Sequence, residues 1–490
     1  MSTERRQILC ILAWVVTPIM VTASLKGADS QTSNGAFAFV HATVIDGTGA
    51  AAKHNQAVLV SEDRITAVGP SGKVAIRRGA RTIDATGRFL IPGLWDAHVH
   101  TRYEGIDHLR LLIANGITSA RNMSAPWEYL PKILSLREQI AKGDRIGPRL
   151  LTAGPVLDGA LGGGLGPGRA DPRFRATDQH ISNPEEGRQA VRRVKSEGAD
   201  FVKVYNLLSR ETYFAIAAEA KAQELPFVGH VPFAISAGEA SEAGQRSIEH
   251  LDNILWSSST QEEEIRKQAQ SYEAALSVTP KLLFESFSPA KLRALADHLK
   301  QNDTAVTPTL SLYRNRFESR RQSSFIASID RLKNVPPSYV EVWKGRGGPN
   351  SEEDARMQFQ QCLTVVRELH KAGVTILAGT DVGTAYQIPG ISLHDELALL
   401  VQSGLSPMDA LQAATLNPAR AFNLTDQGTI EPGMRADLVL LDANPLENID
   451  NARKIRVVVA RGRVLNRIDL DAMLSDIQSV ASQWSGTPTR

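Results

Sequence analysis

Eight short apolar runs, most followed by a stretch of helical character, fill the middle of the chain and restrict its fold more than any other feature. They lie at residues 90–98, 118–122, 149–153, 201–205, 227–230, 247–250, 305–310 and 375–381. Between them, residues 184–197, 210–223 and 288–299 carry apolar side chains at helical spacing. Strands alternating with helices at this rate predict a (β/α)8 barrel. A doubly wound open sheet is the competing arrangement. It would not gather the ends of the first, fourth, fifth, sixth and eighth strands around one point.

The flanks read differently. Short runs at 37–40, 42–47, 57–60 and 64–70 are punctuated by Gly and Asp, and similar runs return at 436–441 and 455–459. Both ends of the chain are therefore expected to build one small β-sandwich beside the barrel. A chain of 490 residues has room for both units. The division expected is 36–91 and 427–466 for the sandwich, 92–426 for the barrel, and 467–490 for a C-terminal helix or tail.

After the eighth strand, Ser392 to Asp395 reads as a capping box opening a helix, and Ser406-Pro407 opens another. Two stretches read as irregular loops at the barrel mouth: 158–168, rich in Gly, and 313–350, with Pro336-Pro337 and 345–349. The first lacks a Gly-Lys-Ser/Thr ending and is not a phosphate-binding loop. For each, a lid and a plain connector stay open.

At the N-terminus Arg5 and Arg6 precede an apolar run from Ile8 to Met20, and Val21-Thr22-Ala23 follows as a small-x-small pattern. This predicts a signal peptide, residues 1–23, cleaved near Ala23, and a periplasmic or secreted protein with no membrane attachment afterwards. Pro18 interrupts the run, which is shorter than the roughly 20 residues a spanning helix needs. Of the two cysteines, Cys10 falls in this segment, leaving Cys362 alone and no internal disulfide. Lys plus Arg (55) nearly balances Asp plus Glu (53), and no nucleic-acid module is visible.

The strand ends carry the chemistry. The run from Leu90 ends in His98-Val99-His100, and side chains alternate along a strand, so both imidazoles face one way. Alone, His-x-His is better explained by two polar residues at a strand exit. The other strands tip the balance. Lys203, with Phe201 and Tyr205, faces the barrel interior if the two valines face out. A buried lysine loses proton affinity and, as a neutral amine, can capture carbon dioxide as a carbamate able to bridge two ions. A lysine paired with a barrel carboxylate is the simpler reading of that strand. His230 and His250 close the next two strands, and Asp381 closes Gly379-Thr380-Asp381. Nitrogen and oxygen ligands without thiolate suit Zn²⁺, with Mn²⁺, Co²⁺ or Fe²⁺ as alternatives.

In residues 90–100, 199–204, Ile248-Glu249-His250, Gly379-Thr380-Asp381 and the tail from Ala413 to Leu438, the chain resembles the amidohydrolase superfamily, in its imidazolonepropionase-like and prolidase-like branch. The resemblance covers about residues 37–466. It implies that His98, His100 and Asp381 hold the more buried of two divalent ions, that His230 and His250 hold the other, and that carboxylated Lys203 bridges them. Asp381 would then be the general base. Many relatives carry a histidine after the glycines behind the third strand; here Ala160 to Gly166 has none, so the substrate does not transfer with the fold.

The function expected is hydrolysis of a C–N amide bond in a dipeptide or N-acyl amino acid by a metal-activated hydroxide. The alternatives are a lactone, carbamate or phosphotriester hydrolase on the same two ions, and a single-metal imidazolonepropionase-like hydrolase or deaminase. Tyr205 is a candidate substrate contact, and Arg121 either pairs with a substrate carboxylate or forms a structural salt bridge. His394 is expected at the surface or behind the site, and the remaining histidines as structural or solvated. The only partner implied is a small-molecule or dipeptide substrate, with homo-oligomerisation left open.

Overall fold

In the sequence, Pro92-Gly93 interrupts what reads as one strand, and the chain changes sheets there. The computed structural model describes residues 35–101, 106–159, 178–269, 274–275, 277–321, 324, 326, 328–344 and 351–486. The expected signal segment and most of the glycine-rich stretch lie outside these residues. Strands β1 (Phe37–Val44), β2 (Lys53–Ser61), β3 (Arg64–Pro70), β4 (Arg81–Asp84) and β5 (Phe89–Pro92) come first. The strands of the second sheet follow as β6 (Leu94–Val99), β7 (Ile117–Asn122), β8 (Arg149–Gly159), β9 (Asp178–Ile181), β10 (Phe201–Val204), β11 (Phe227–Gly229), β12 (Ser247–Glu249) and β13 (Ala305–Thr307). Then β14 (Leu438–Leu441), β15 (Ile455–Ala460) and β16 (Arg463–Asn466) return to the first sheet.

That first sheet runs β16-β15-β14-β5-β1-β2-β3, with β4 added to β1, so both chain ends build it. One edge of β1 is shared, residues 37–40 pairing with β4 and 43–44 with β5. Between them His41 takes a left-handed backbone (φ 61°), and the register against β2 shifts. The sheet covers its own apolar core, which includes Phe39, Val58, Leu90, Leu438 and Val459. The single strand expected over 90–98 is thus two: β5 pairs with β14, and β6 pairs with β7.

The second sheet is parallel in the order β13-β12-β11-β10-β8-β7-β6, with β9 paired to β8. Every residue of β6 and β7 is buried, as in a sheet covered on both faces. Where an eighth strand was expected, residues 375–382 close the ring by isolated bridges to Val306 and Val99, without a regular ladder. Leu377 N donates to Val306 O (2.9 Å) on one side, and Asp381 N donates to His98 O (2.8 Å) on the other. His100 N donates to Val382 O at 2.7 Å, completing the seam. This is a (β/α)8-type barrel with a second, mixed sheet.

Helices Pro184–Ser196, Arg210–Ala222 and Pro289–Gln301 lie where their periodicity predicts. The stretch 313–350, read as irregular, is instead largely helical in its described part: Leu310–Arg320, Ile329–Leu332 and Pro337–Lys344. Pro337 misled because proline is tolerated at a first helical turn, where its missing N–H has no intrahelical partner to lose. The helix after the closing segment, Ile391–Ser403, begins after Gly390, and Ser392 is not its cap; its hydroxyl accepts from Ile388 N. The Ser406 capping box, closed by Asp409, is present. Among the described residues no helix is long and apolar enough to cross a membrane.

Candidate metal centre

Five of the six side chains expected to bind metal meet in one chain of contacts at the C-terminal ends of the barrel strands. His98 Nε2 and His100 Nε2 lie 3.3 and 3.2 Å from Asp381 Oδ1, and a ligand atom from each of these residues falls within 4.8 Å of the others. The His98 ring centroid is 4.9 Å from that of His250, which is 4.8 Å from that of His230. The sixth, Lys203, is 2% exposed, and its charge is felt by both His230 and His250. Two glycines make this approach possible. A side chain at Gly229 would place Cβ 2.2 Å from Val204 O and 3.1 Å from Lys203 Cδ, and one at Gly379 would place it 2.9 Å from His98 Cβ.

The protonation states suit cation binding. Burial first, then the Lys203 charge, holds His230 well below the ordinary imidazole range. Burial likewise pushes His250 down to about 3, so both rings are neutral near pH 7. For Asp381, burial opposes ionisation, but hydrogen bonds from His100 and His98 outweigh it and keep the carboxyl ionised, well below its usual range. Neutral imidazole and ionised carboxylate are the forms that ligate a metal.

Each histidine also has its other nitrogen engaged. Nδ1 of His98 faces Glu249 Oε2 (2.7 Å), that of His100 faces Ser124 Oγ (2.9 Å), that of His230 faces Asn206 Oδ1 (2.9 Å), and that of His250 faces Thr309 Oγ1 (2.8 Å). A cation between the rings and Asp381 would replace the proton that Nε2 shares with the carboxylate; with Nδ1 keeping its own proton on a protein oxygen, Nε2 then presents a lone pair, the arrangement of metal-binding histidines generally. The donor set fits a divalent ion at His98, His100 and Asp381, and N/O donors without thiolate fit Zn²⁺.

The backbone is also unusual here. His250 (φ 65°), Thr309 (φ 50°) and Asp381 (φ 58°) adopt left-handed conformations just beyond three successive strand positions. Such residues cost on the order of 1–3 kcal/mol each and persist where the surroundings over-determine them.

Other expectations resolve as follows. Arg121 is not open to a substrate: it is fully buried inside the barrel, pairing with Glu249 (2.7 Å) and donating to Ala97 O and Ser247 Oγ. The side chain forms a buried salt bridge. Tyr205 lies over His230, with ring centroids 4.1 Å apart, and is half-buried beside the cluster. His394 is not at the surface; it is 3% exposed, with Nε2 2.9 Å from Asn115 O. His108, expected as structural or solvated, is buried and sensitive to the charge of His100.

Glu249 was missed. Its signal was present, since a carboxylate in the apolar strand Ser247-Ile248-Glu249 demands a buried cationic partner, and Arg121 is that partner. Asp96 was missed too. It accepts from Thr380 N (3.1 Å) and Thr380 Oγ1 (2.7 Å), tying β6 to the closing segment, and burial raises its pKa to about 7.

Residues 89–465 match the amidohydrolase family. The ochratoxinase of Aspergillus niger is 26% identical over 458 residues, covering 81% of this chain and 79% of that protein. An imidazolonepropionase of Salinispora arenicola is 35% identical over 127 residues, which is 24% of this chain and 31% of that one. The structure of a Xaa-Pro dipeptidase with methionine bound in its active site shares the fold, with a TM-score of 0.64 at 22% identity over 88% of this chain and 100% of that one.

Proposed function

Since the chain belongs to the amidohydrolase family and is a hydrolase acting on C–N bonds, we propose that it cleaves the amide bond of a dipeptide or N-acyl amino acid at a centre of two divalent ions. The observation that carries this reading is the convergence of His98, His100, His230, His250 and Asp381, with Lys203 buried beside them and Nδ1 of each of these four histidines directed at a protein oxygen. Similarity to a Xaa-Pro dipeptidase and to an ochratoxinase supports an amide substrate.

His98, His100 and Asp381 would hold one ion, His230 and His250 the other, and Lys203, carboxylated on Nζ, would join them. Bound there, such ions polarise a carbonyl and acidify water. Asp381, an ionised carboxylate beside both rings, would take a proton from the attacking water and return it to the departing nitrogen. Tyr205, lying over His230, forms a wall against which the substrate would rest. On sequence alone, the Arg5-Arg6 pair, the apolar run to Met20 and Val21-Thr22-Ala23 support export with cleavage near Ala23. N-terminal sequencing of the exported protein would check this.

The test is hydrolysis of a panel of dipeptides and N-acyl amino acids by protein reconstituted with Zn²⁺ and bicarbonate. Cleavage of a defined subset, abolished by a chelator, is the expected result. No cleavage across the panel by protein shown to hold two ions would overturn the substrate class and turn attention to lactones, carbamates and phosphotriesters.

A further inference from the structure

Beneath the cluster, inside the barrel, lies a charged pair that touches neither solvent nor the space where a substrate would sit. Arg121 on β7 and Glu249 on β12 are both fully enclosed, their side chains 0% exposed. Burying an ion pair is costly, and apolar residues of the same volume often serve stability as well or better. Stability alone therefore does not account for this pair.

Its connections do. Glu249 has both oxygens committed: Oε2 to His98 Nδ1 at 2.7 Å, and Oε1 to Arg121 Nη2 at 2.7 Å and Ser247 Oγ at 2.5 Å. Neither oxygen can turn away without breaking a bond on the far side. Arg121 is held as firmly. Its Nη1 donates to Ser247 Oγ at 2.8 Å, its Nη2 also reaches Thr307 Oγ1 at 3.4 Å, and its guanidinium lies 4.7 Å from the Phe422 ring centroid. Arg121 Nε donates to the carbonyl of Ala97, the residue before His98, at 2.5 Å. One guanidinium thus grips His98 twice, once through the preceding backbone and once through Glu249 on its ring.

We propose that Arg121 and Glu249 are positioning residues for His98: together they fix its ring orientation and its Nδ1–H tautomer, so that Nε2 is presented to a divalent cation at His98, His100 and Asp381. This rests on the metal-centre reading above and adds two residues, from β7 and β12, that do not themselves touch the ion. Nδ1 of the other three histidines faces a neutral side chain (Ser124, Asn206 and Thr309), whereas that of His98 faces a carboxylate backed by a guanidinium.

The experiment compares the wild-type protein with E249Q, which keeps an oxygen for Nδ1–H, and with R121M/E249L, which replaces both charges by apolar groups. Zn²⁺ affinity is measured by chelator competition with a metal count, alongside the melting midpoint of the metal-free protein. The expected result is a metal-free R121M/E249L that melts near wild type but binds Zn²⁺ about 10–100-fold more weakly, the range for lost partners of metal-binding histidines, with E249Q in between. Wild-type affinity in R121M/E249L would overturn the positioning role while leaving the metal centre standing. A wild-type protein that takes up no Zn²⁺ would overturn both. Should R121M/E249L fail to fold, the ¹⁵N imidazole spectrum of metal-free wild type decides: His98 carrying a proton on Nδ1 is expected, whether or not Nε2 carries one toward Asp381, and His98 protonated on Nε2 alone would overturn the proposal.

Discussion

His250 Nδ1 and Thr309 Oγ1 are 2.8 Å apart, and both residues hold left-handed backbone. The hydroxyl that orients the ring thus comes from a position whose own geometry is held by tertiary contacts. Glu396 supplies two of these, accepting from Leu310 N (2.8 Å) and Ser311 N (2.7 Å) in the turn that follows.

Removing that hydroxyl should act on the cation rather than on the fold. Thr309→Ala is expected to weaken Zn²⁺ binding by roughly 10-fold or more, and Thr309→Ser to restore most of it. Chelator competition on the two variants measures this directly.

Asp381→Asn keeps the shape of the side chain but removes a base. Turnover should fall about 10²–10⁴-fold with KM changed far less. A change confined to KM would remove its role in proton transfer.

Lys203→Ala deletes the only amine of the cluster. The variant should retain at most one tightly held ion per chain and lose its response to bicarbonate, read by metal analysis of dialysed protein. Two ions and full turnover in that variant would contradict a bridging lysine.

Two buried neighbours should pull stability in opposite directions with pH. Burial, aided by Arg453, lowers His394 to about 4, so between pH 6.5 and 4 the unfolded chain takes up a proton that the folded one refuses. That contribution to stability is lost as pH falls. Burial raises Glu396 to about 7, so between pH 4.5 and 7 the folded chain holds the extra proton, and that contribution is lost as pH rises. Each is on the order of 3 kcal/mol at most. In urea titrations, His394→Gln should gain on wild type towards pH 4, and Glu396→Gln towards pH 8.

Much of this was legible in the sequence because the ligands mark strand ends. His98, His230, His250 and Asp381 each follow a short apolar run, and alternation along β6 gives His98 and His100 a common face. What was not legible depends on pairing across the barrel. Arg121 and Glu249 are 128 residues apart, and nothing local to either says that they meet. The break at Pro92-Gly93 was hidden by the continuous hydrophobicity of β5 and β6, which serve different sheets. The helices after β13 were obscured by prolines that turned out to begin a helix rather than prevent one.

The seam at residues 375–382 also bears on the order in which the molecule assembles. Thr380 and His98, in contact across it, are 282 residues apart in sequence, and contacts of such separation carry a large loop-closure cost before they return any energy. The strands from β6 to β13 can add to one another in chain order, whereas this contact needs nearly the whole barrel in place. Asp381 is therefore expected among the last groups to reach its neighbours. A partly folded chain has His98 and His100 but not the carboxylate between them, so the complete donor set exists only once the ring has closed.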